Sequence, residues 1–413
     1  MTVTKRTTGD KIIWLLTVVL MSSFYLFERY AWGRYLLAVI AVLIIIVHIA
    51  ENGTVIQVRF GAYHVWLLAM AAYSLLSALW ALSRGSAVAM CGTFLSQLAC
   101  FSLVYLHYQT RDGVGDLLLA IKWAGYFVAV YSIVFYGGFS AITMAAGSAS
   151  NRLENAYSNV NSISMLVAVA CILQAHGLLN RGRKWPALLL VPSLAVVAAM
   201  QSRKAVVLLI IGVVAVLVTH FWDNRNALRT LLRILLIAIA AGAMLWYLST
   251  LEIFEGSIQR LVRMITVLTG GDAPDGSTRL RMEMVRVGLT QFLKTPVFGI
   301  GIGSSGVLLQ EEIGRSTYMH NNYVELLSCG GLVGFLLYYS MYAYLLVRLI
   351  RYRKYDKQNV QICIIFLLCL LIMDVGAVSY YSKNQWFYMM VMFLEVACVQ
   401  NKHMEDVQIW QGC

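Results

Sequence analysis

The chain has 413 residues, of which 60% are hydrophobic and 13% are charged, and its formal net charge is +12. Soluble domains carry about 25% charged residues, so this composition excludes an ordinary soluble domain and indicates a membrane protein. The basic excess does not indicate nucleic-acid binding, because the Lys and Arg residues stand in short loops between apolar segments, as membrane topology requires.

Apolar runs of membrane-spanning length recur along the chain, which predicts an all-α polytopic membrane protein with about 12 transmembrane helices. The predicted spans are 12–27, 34–50, 63–82, 86–107, 115–137, 158–178, 185–201, 203–222, 231–250, 321–347, 360–378 and 384–400. The two runs that meet at Gln201–Lys204 could instead form one broken segment, which would give eleven spans.

No repeat or linker divides the sequence, so residues 1–413 are expected to form a single integral membrane domain. A long segment, residues 251–320, precedes the tenth span and is expected to form a partly helical loop outside the membrane. Within it a helix is predicted over 278–293. Pro296 ends this helix, and the glycines of "KTPVFGIGIG" allow a tight backbone beyond it.

The distribution of positive residues predicts the orientation. The loops on the N-terminal side of the membrane hold more Lys and Arg than the short loops on the opposite side, which predicts cytoplasmic N- and C-termini. The long segment then lies outside. Of the 7 histidines, His320 alone is placed on that outer side.

Arginines occur in two polar motifs on the predicted outer side. "QSRKA" places Arg203 at the end of a span, where a charge commonly reaches for the interface. "GSTRLRMEMVRVGLTQFLK" places Arg279 and Arg281 at the start of the loop helix, where arginines are commonly just solvated. Guanidinium groups also bind phosphate in a bidentate manner, so these motifs together indicate a site for a phosphorylated substrate.

A third motif, "YMHNNYVELLSCGGLVG", places His320, Asn321 and Asn322 at the beginning of an apolar helix. A further outer helix start, "YSNVNS", contains Asn159 and Asn161. Helix capping explains asparagines at such positions, and a histidine there can simply tie a loop to the helix. Alternatively, a neutral imidazole can take a proton from a sugar hydroxyl.

Together these motifs resemble those of the O-antigen ligase and polymerase superfamily. "HNNYVELLSCGGLVG" is similar to its histidine–asparagine motif, and "QSRKA" to its serine–arginine motif. "RMEMVRVGLTQFLKTPVFGIG" resembles its third motif, an arginine followed by a helix and a Pro/Gly-rich turn. Arg281 occupies the usual position of that arginine, and Arg279 is the neighbouring alternative. One departure is Val285, where the family commonly has tryptophan.

The resemblance implies an inverting glycosyltransferase that needs neither a metal nor a cofactor. Such enzymes act in the bacterial inner membrane on a glycan linked to undecaprenyl pyrophosphate, with an acceptor glycan or glycolipid and other polysaccharide assembly proteins as partners. It further implies that Arg203 and Arg281, assisted by Arg279, bind the donor pyrophosphate, and that His320 accepts the acceptor proton. The expected supporting residues are Asn321 and Asn322, which would orient sugar hydroxyls, Glu325, which would support Asn321, and Asn161.

Three activities remain open. "STYMHNNYVELL" followed by "GFLLYY" resembles capsule and exopolysaccharide polymerases, which favours a polymerase. An O-antigen ligase, which transfers the glycan to the lipid A core, would use the same donor motifs. A flippase for lipid-linked glycans is the alternative from another class. It would place ionisable residues near the middle of the membrane, whereas the candidates here cluster at one face.

Overall fold

The computed structural model is largely helical and describes residues 7–27, 30, 32–53, 60–109, 113–146, 153, 159–182, 185–221, 227–250, 259, 262–267, 269–271 and 276–411. These residues contain no β-strand, which confirms the all-α class. The helices are α1 (Thr8–Leu26), α2 (Gly33–Asn52), α3 (Ala62–Ser77), α4 (Arg84–Gln109), α5 (Val114–Phe135), α6 (Phe139–Ala146), α7 (Val160–Arg181), α8 (Leu190–Ala199), α9 (Arg203–Phe221), α10 (Ala227–Thr250), α11 (Gly276–Lys294), α12 (Ser305–Ile313), α13 (Asn322–Tyr352), α14 (Lys357–Met373) and α15 (Lys383–Gln411).

Many of these helices suit a membrane. Six are long and apolar enough to cross one, namely Thr8–Leu26, Arg84–Gln109, Val114–Phe135, Val160–Asn180, Arg203–Phe221 and Asn322–Tyr352. Four shorter apolar helices cover Tyr35–Glu51, Ala62–Ser77, Ala187–Ala199 and Lys357–Met373. All of them coincide with predicted spans, so the chain is a multi-pass membrane protein. The number of spans stays a prediction.

The helices form two compact units. The first unit comprises Met1–Glu51 and Gly115–Ala273, and the second comprises Asn52–Val114 and Pro274–Cys413. Arg203 and Asn161 lie in the first unit. The other candidate residues, His320 among them, lie in the second unit.

In the first unit, α7 packs along α9. Ile172 fills the space beside Gly212, and Asn180 Oδ1 lies 2.9 Å from His220 Nδ1. In each pair the residue of α9 comes 40 positions after its partner in α7, so the two helices run in the same direction. The chain between them must therefore return across the unit through α8. The residues around Gln201 are therefore a reversal between two helices. Gln201 forms this reversal with a φ of 47°.

In the second unit, α3 and α4 form a hairpin that packs with α13 and α15. Trp386 of α15 is completely buried at the centre of this packing. Its ring lies 6.1 to 6.2 Å from the rings of Phe94, Tyr63 and Tyr338, which belong to α4, α3 and α13. Such edge-on aromatic packing joins four helices around one side chain.

The predicted loop helix is present as α11, and the segment after it enters a break in α13. Gly331 interrupts α13 with a φ of 60° and a ψ of −166°. Its neighbours Leu332 and Val333 donate their backbone N–H groups to the carbonyls of Pro296 and Val297, at 2.8 and 3.1 Å. These bonds replace the helical bonds lost at the break, as a membrane-embedded backbone requires. The break lies nine residues after the start of α13, about 13 Å along its axis.

A second pair of hydrogen bonds runs the other way, from N–H groups of "PVFGIGIG" to carbonyls of α13. Ile300 and Gly301 donate their N–H groups to the carbonyls of Ser328 and Cys329, at 3.0 and 2.9 Å. A Cβ on Gly299, whose φ is 64°, would lie 2.5 Å from the Cys329 carbonyl oxygen. The glycines therefore permit backbone to pack directly on backbone, and α12, which the sequence did not predict, begins just after them.

Replacing Gly331 with alanine is expected to destabilise the protein strongly. The positive φ alone costs a non-glycine residue about 1–3 kcal/mol, and the new Cβ would also meet the Val297 carbonyl. Gly330→Ala is the matched control, since its Cβ would meet the flexible end of Ile302 at 3.2 Å and make ordinary van der Waals contact with Tyr73 at 3.7 Å. Thermal unfolding in detergent should rank G331A well below G330A. Equal melting temperatures would contradict the proposed contribution of the break at Gly331, and of the loop packed into it, to stability.

Candidate active site

His320 stands just before α13, and its backbone conformation is uncommon. Its φ is 57°, a left-handed conformation that non-glycine residues rarely adopt. Such strain persists where surrounding contacts over-determine it, and it is often found at functional sites. The side chain is partly exposed, and its ring packs on that of Tyr318 with centroids 4.2 Å apart. The imidazole is thus held at a surface that a substrate can reach.

The residue before His320 is firmly anchored. Met319 is completely buried, and its backbone N–H donates to Glu325 Oε2 at 2.9 Å. The other oxygen, Oε1, accepts from Ser305 Oγ at 2.5 Å. Glu325 was expected to support Asn321, but its carboxylate supports Met319 instead. The reason is that side chains in a first helical turn point back toward the preceding loop.

The residues after His320 cap α13. Asn321 is the N-cap, and its Oδ1 accepts from the Val324 N–H at 3.0 Å. The cap bond does not use Nδ2, so this nitrogen can donate to a substrate. Asn322 differs because it is completely buried. Its expected contact with sugar hydroxyls is therefore corrected to a structural role.

Asn322 belongs to a buried polar network around Asp374, the residue that follows α14. Asn322 Nδ2 donates to Asp374 Oδ2 at 3.2 Å, and the Asn322 N–H donates to the Asp374 carbonyl at 2.8 Å. Oδ2 also accepts from the hydroxyls of Tyr339 and Tyr342, at 3.0 and 3.4 Å, and Oδ1 accepts from Ser379 Oγ. This network ties the start of α13 to the turn after α14.

Asp374 was not among the residues predicted from the sequence. The sequence feature that could have indicated it is an acidic residue at the end of the apolar run "LLIMDVG". Ionisable residues at membrane depth are costly and commonly functional.

Removing the Asp374 carboxylate is expected to lower stability. Asp374→Ala leaves the buried Asn322 amide and three hydroxyl donors without this acceptor, at about 1–3 kcal/mol each where no other partner is found. Asp374→Asn should be milder, because its oxygen can serve the donors at Oδ2 while its nitrogen donates to Ser379. Melting temperatures in detergent should fall in the order wild type, D374N, D374A. A D374A protein as stable as wild type would show that the network contributes nothing.

The helix that carries the loop arginines packs directly on the His320 region. Met284 and Val287 of α11 share a buried hydrophobic cluster with Met319 and with Leu308 of α12. Gly288 allows the close approach, since a Cβ there would collide with Val324 of α13 and lie 3.2 Å from Met319 Sδ. The arginine helix and the His320 loop therefore belong to one core.

Helical periodicity separates the two arginines. Arg281, Met284 and Gly288 follow the i, i+3, i+7 spacing of one helix face, so Arg281 borders the surface that packs on the His320 loop. Its side chain is partly buried, whereas Arg279 is exposed. Arg279 shares its face with Glu283 and Arg286, which form an exposed ion pair at 4.0 Å.

The first unit holds the remaining candidates. Asn159 caps α7 by accepting from the Asn161 N–H at 3.0 Å, and the Asn161 side chain is partly exposed. Arg203 is the first residue of α9 and is also partly exposed. The shared direction and register of α7 and α9 place Arg203 level with Ile163, within one helical turn of Asn161. The two residues thus lie at the same end of this helix pair.

Fold and site together define an all-helical, multi-pass membrane protein with a strained, anchored histidine and partly exposed arginines at helix starts. Within the described ranges, no three His, Cys, Asp or Glu side chains come together as a metal site would require.

Residues 187–339 match the model of a family described as O-antigen ligase. This match, which covers less than half of the chain, supports the predicted resemblance to the O-antigen ligase and polymerase superfamily, a glycosyltransferase-like family of enzymes. The matched residues include Arg203, both loop arginines and His320. No curated protein matches the chain.

Proposed function

We propose that the chain is a polysaccharide polymerase of the O-antigen or capsule type. It transfers a glycan from undecaprenyl pyrophosphate to an acceptor sugar hydroxyl at the outer leaflet of the bacterial inner membrane, with inversion and without a metal. The observation that carries this proposal is the shared core of the second unit. There the helix of Arg281 packs directly against the anchored residues beside His320.

His320 acts as the general base in this reaction. Its imidazole takes the proton of the acceptor hydroxyl while the oxygen attacks the anomeric carbon of the donor. A new glycosidic bond forms, the bond to the pyrophosphate oxygen breaks, and undecaprenyl pyrophosphate leaves. Asn321 Nδ2 donates a hydrogen bond to a hydroxyl of the acceptor.

Arg281 stabilises the negative charge that grows on the leaving pyrophosphate, which is the largest electrostatic demand of the step. Arg279, which is exposed and lies two residues nearer the start of α11, assists in attracting the donor. Arg203 is the second donor-binding arginine, and Asn161 supports it from the start of α7. An acceptor glycan is the partner that this reaction requires, and other proteins of polysaccharide assembly are expected partners in the cell.

An O-antigen ligase is the second candidate, favoured by the description of the matching family model. A gene deletion separates the two activities. Loss of a polymerase leaves single repeat units on the lipid carrier, whereas loss of a ligase leaves long chains on the carrier and none on lipid A. Accumulation of single units supports the polymerase, and accumulation of long chains contradicts it.

The proposed orientation places both termini in the cytoplasm and His320 outside. Arg315 and Lys354 are exposed residues beyond the two ends of α13, so they make a matched pair of labelling positions. In intact cells, an impermeant thiol reagent should modify a cysteine at position 315 and spare one at position 354. The opposite pattern would reverse the topology.

A further inference from the structure

We propose that Glu325 is a positioning residue, which sets the backbone at His320 and through it the direction of the imidazole toward the acceptor. This proposal rests on the function proposed above for His320. It assigns the Glu325 carboxylate no proton transfer and no contact with substrate. The carboxylate acts by accepting the hydrogen bond of the Met319 N–H, one residue before the base.

The contacts of Glu325 support this role. The side chain is 1% exposed and both its oxygens accept hydrogen bonds, one from Ser305 Oγ at 2.5 Å and one from the Met319 N–H at 2.9 Å. Ser305 begins α12, so Glu325 connects three segments: the start of α12, the residues before His320, and α13 itself. The Met319 side chain is fixed as well, because it is buried in the cluster with Met284 and Leu308.

The conformation of His320 explains why such an anchor is needed. A φ of 57° is unfavourable for a histidine, so a free loop would relax toward a negative φ and turn the ring away. The Glu325 bond holds the chain before His320, and the Asn321 cap with the Asn322–Asp374 bond holds the chain after it. With both sides held, the strained residue cannot relax.

The geometry predicts which substitutions matter. Glutamine at position 325 can turn its carbonyl oxygen to the Met319 N–H and its nitrogen to Ser305, whose hydroxyl can accept. Methionine has a similar volume but offers the Met319 N–H only a weak sulfur acceptor. Positioning therefore requires Glu325→Gln to keep activity and Glu325→Met to lose it, whereas a proton-transfer role would abolish activity in both.

The first test measures turnover with purified, folded protein, lipid-linked donor and acceptor. E325Q is expected within about threefold of wild type in kcat, and E325M at least about tenfold lower with little change in donor binding, because ångström-scale misplacement of a catalytic group is enough for such a loss. In a His320→Ala background, E325M should cost nothing further, since Glu325 acts through His320. Collapse of E325Q, or an undiminished additional loss in the H320A background, would overturn the proposal.

The second test needs no turnover. Diethylpyrocarbonate modifies imidazoles, and peptide mass spectrometry gives the rate at His320 alone. E325Q should modify at the wild-type rate, and E325M several-fold faster or slower, because the ring has moved. Unchanged modification of E325M would overturn the proposal. Ser305→Ala, which leaves the Met319 bond in place, is the matched control and should resemble wild type.

The two tests keep this inference separate from the function it rests on. Full activity in H320A would refute the proposed role of His320 as the base. The modification rates would still decide whether Glu325 positions the ring. If E325M does not fold, E325Q still tests the proposal, because a modification rate or an activity of E325Q unlike that of wild type would overturn it.

Discussion

Replacing His320 with alanine is expected to lower the transfer rate by about a hundredfold or more, the usual cost of losing a general base. Donor binding should be retained, because the acceptor step and the pyrophosphate site use different groups. The measurement is single-turnover transfer by purified protein, together with donor binding at equilibrium. The expected pattern is intact donor binding with a collapsed rate.

His403→Ala provides the control for the loss of a histidine. His403 bonds to the Tyr355 hydroxyl at 2.7 Å, beyond the far end of α13 from His320. This variant should turn over at the wild-type rate. An H320A protein within a few-fold of wild type would make His320 a structural residue, and another group would have to accept the proton.

Replacing Arg281 with alanine is the second large loss, again about a hundredfold or more, because removal of one donor to a developing negative charge typically costs about 10²–10³ in kcat. Arg281→Lys should recover only part of it, since lysine keeps the charge but lacks the planar, bidentate guanidinium. Steady-state transfer and donor affinity, measured on the same preparations, test both variants.

The exposed face of α11 supplies the control. Arg286→Ala removes a guanidinium whose side chain is 78% exposed, and it should leave transfer unchanged. Arg279→Ala should reduce activity by a few-fold at most, because its face points away from the His320 loop. Arg203→Ala is expected to lose activity as R281A does. Wild-type activity in both R203A and R281A would refute the proposed donor site.

Much of the helical architecture was predictable because a bilayer leaves few alternatives. Apolar runs of the required length mark the described spans, and Pro296 correctly marked the end of α11. The break at Gly331 was not predictable in the same way. It depends on the loop at Pro296 and Val297, 36 residues before the residues it bonds, entering the helix, and local sequence gives no sign of a partner at that distance.

The candidate site was predictable in part. A histidine and an asparagine at a helix start indicated the position of His320 and the cap made by Asn321. The partners of Glu325 were not predictable, since they depend on where the start of α12 meets the loop before α13. The same holds for Asp374, whose network forms only when the turn after α14 reaches Asn322. For Arg279 and Arg281, sequence left both open, and the buried face of α11 distinguishes them.

Reconstitution of the purified protein in liposomes, with a lipid-linked repeat unit as the only glycan, tests the proposed function most directly. We expect chains longer than one repeat, one undecaprenyl pyrophosphate released for every new linkage, and inversion at the anomeric carbon by nuclear magnetic resonance of the product. Movement of the intact donor across the bilayer with no new glycosidic bond would contradict the proposal and identify a flippase.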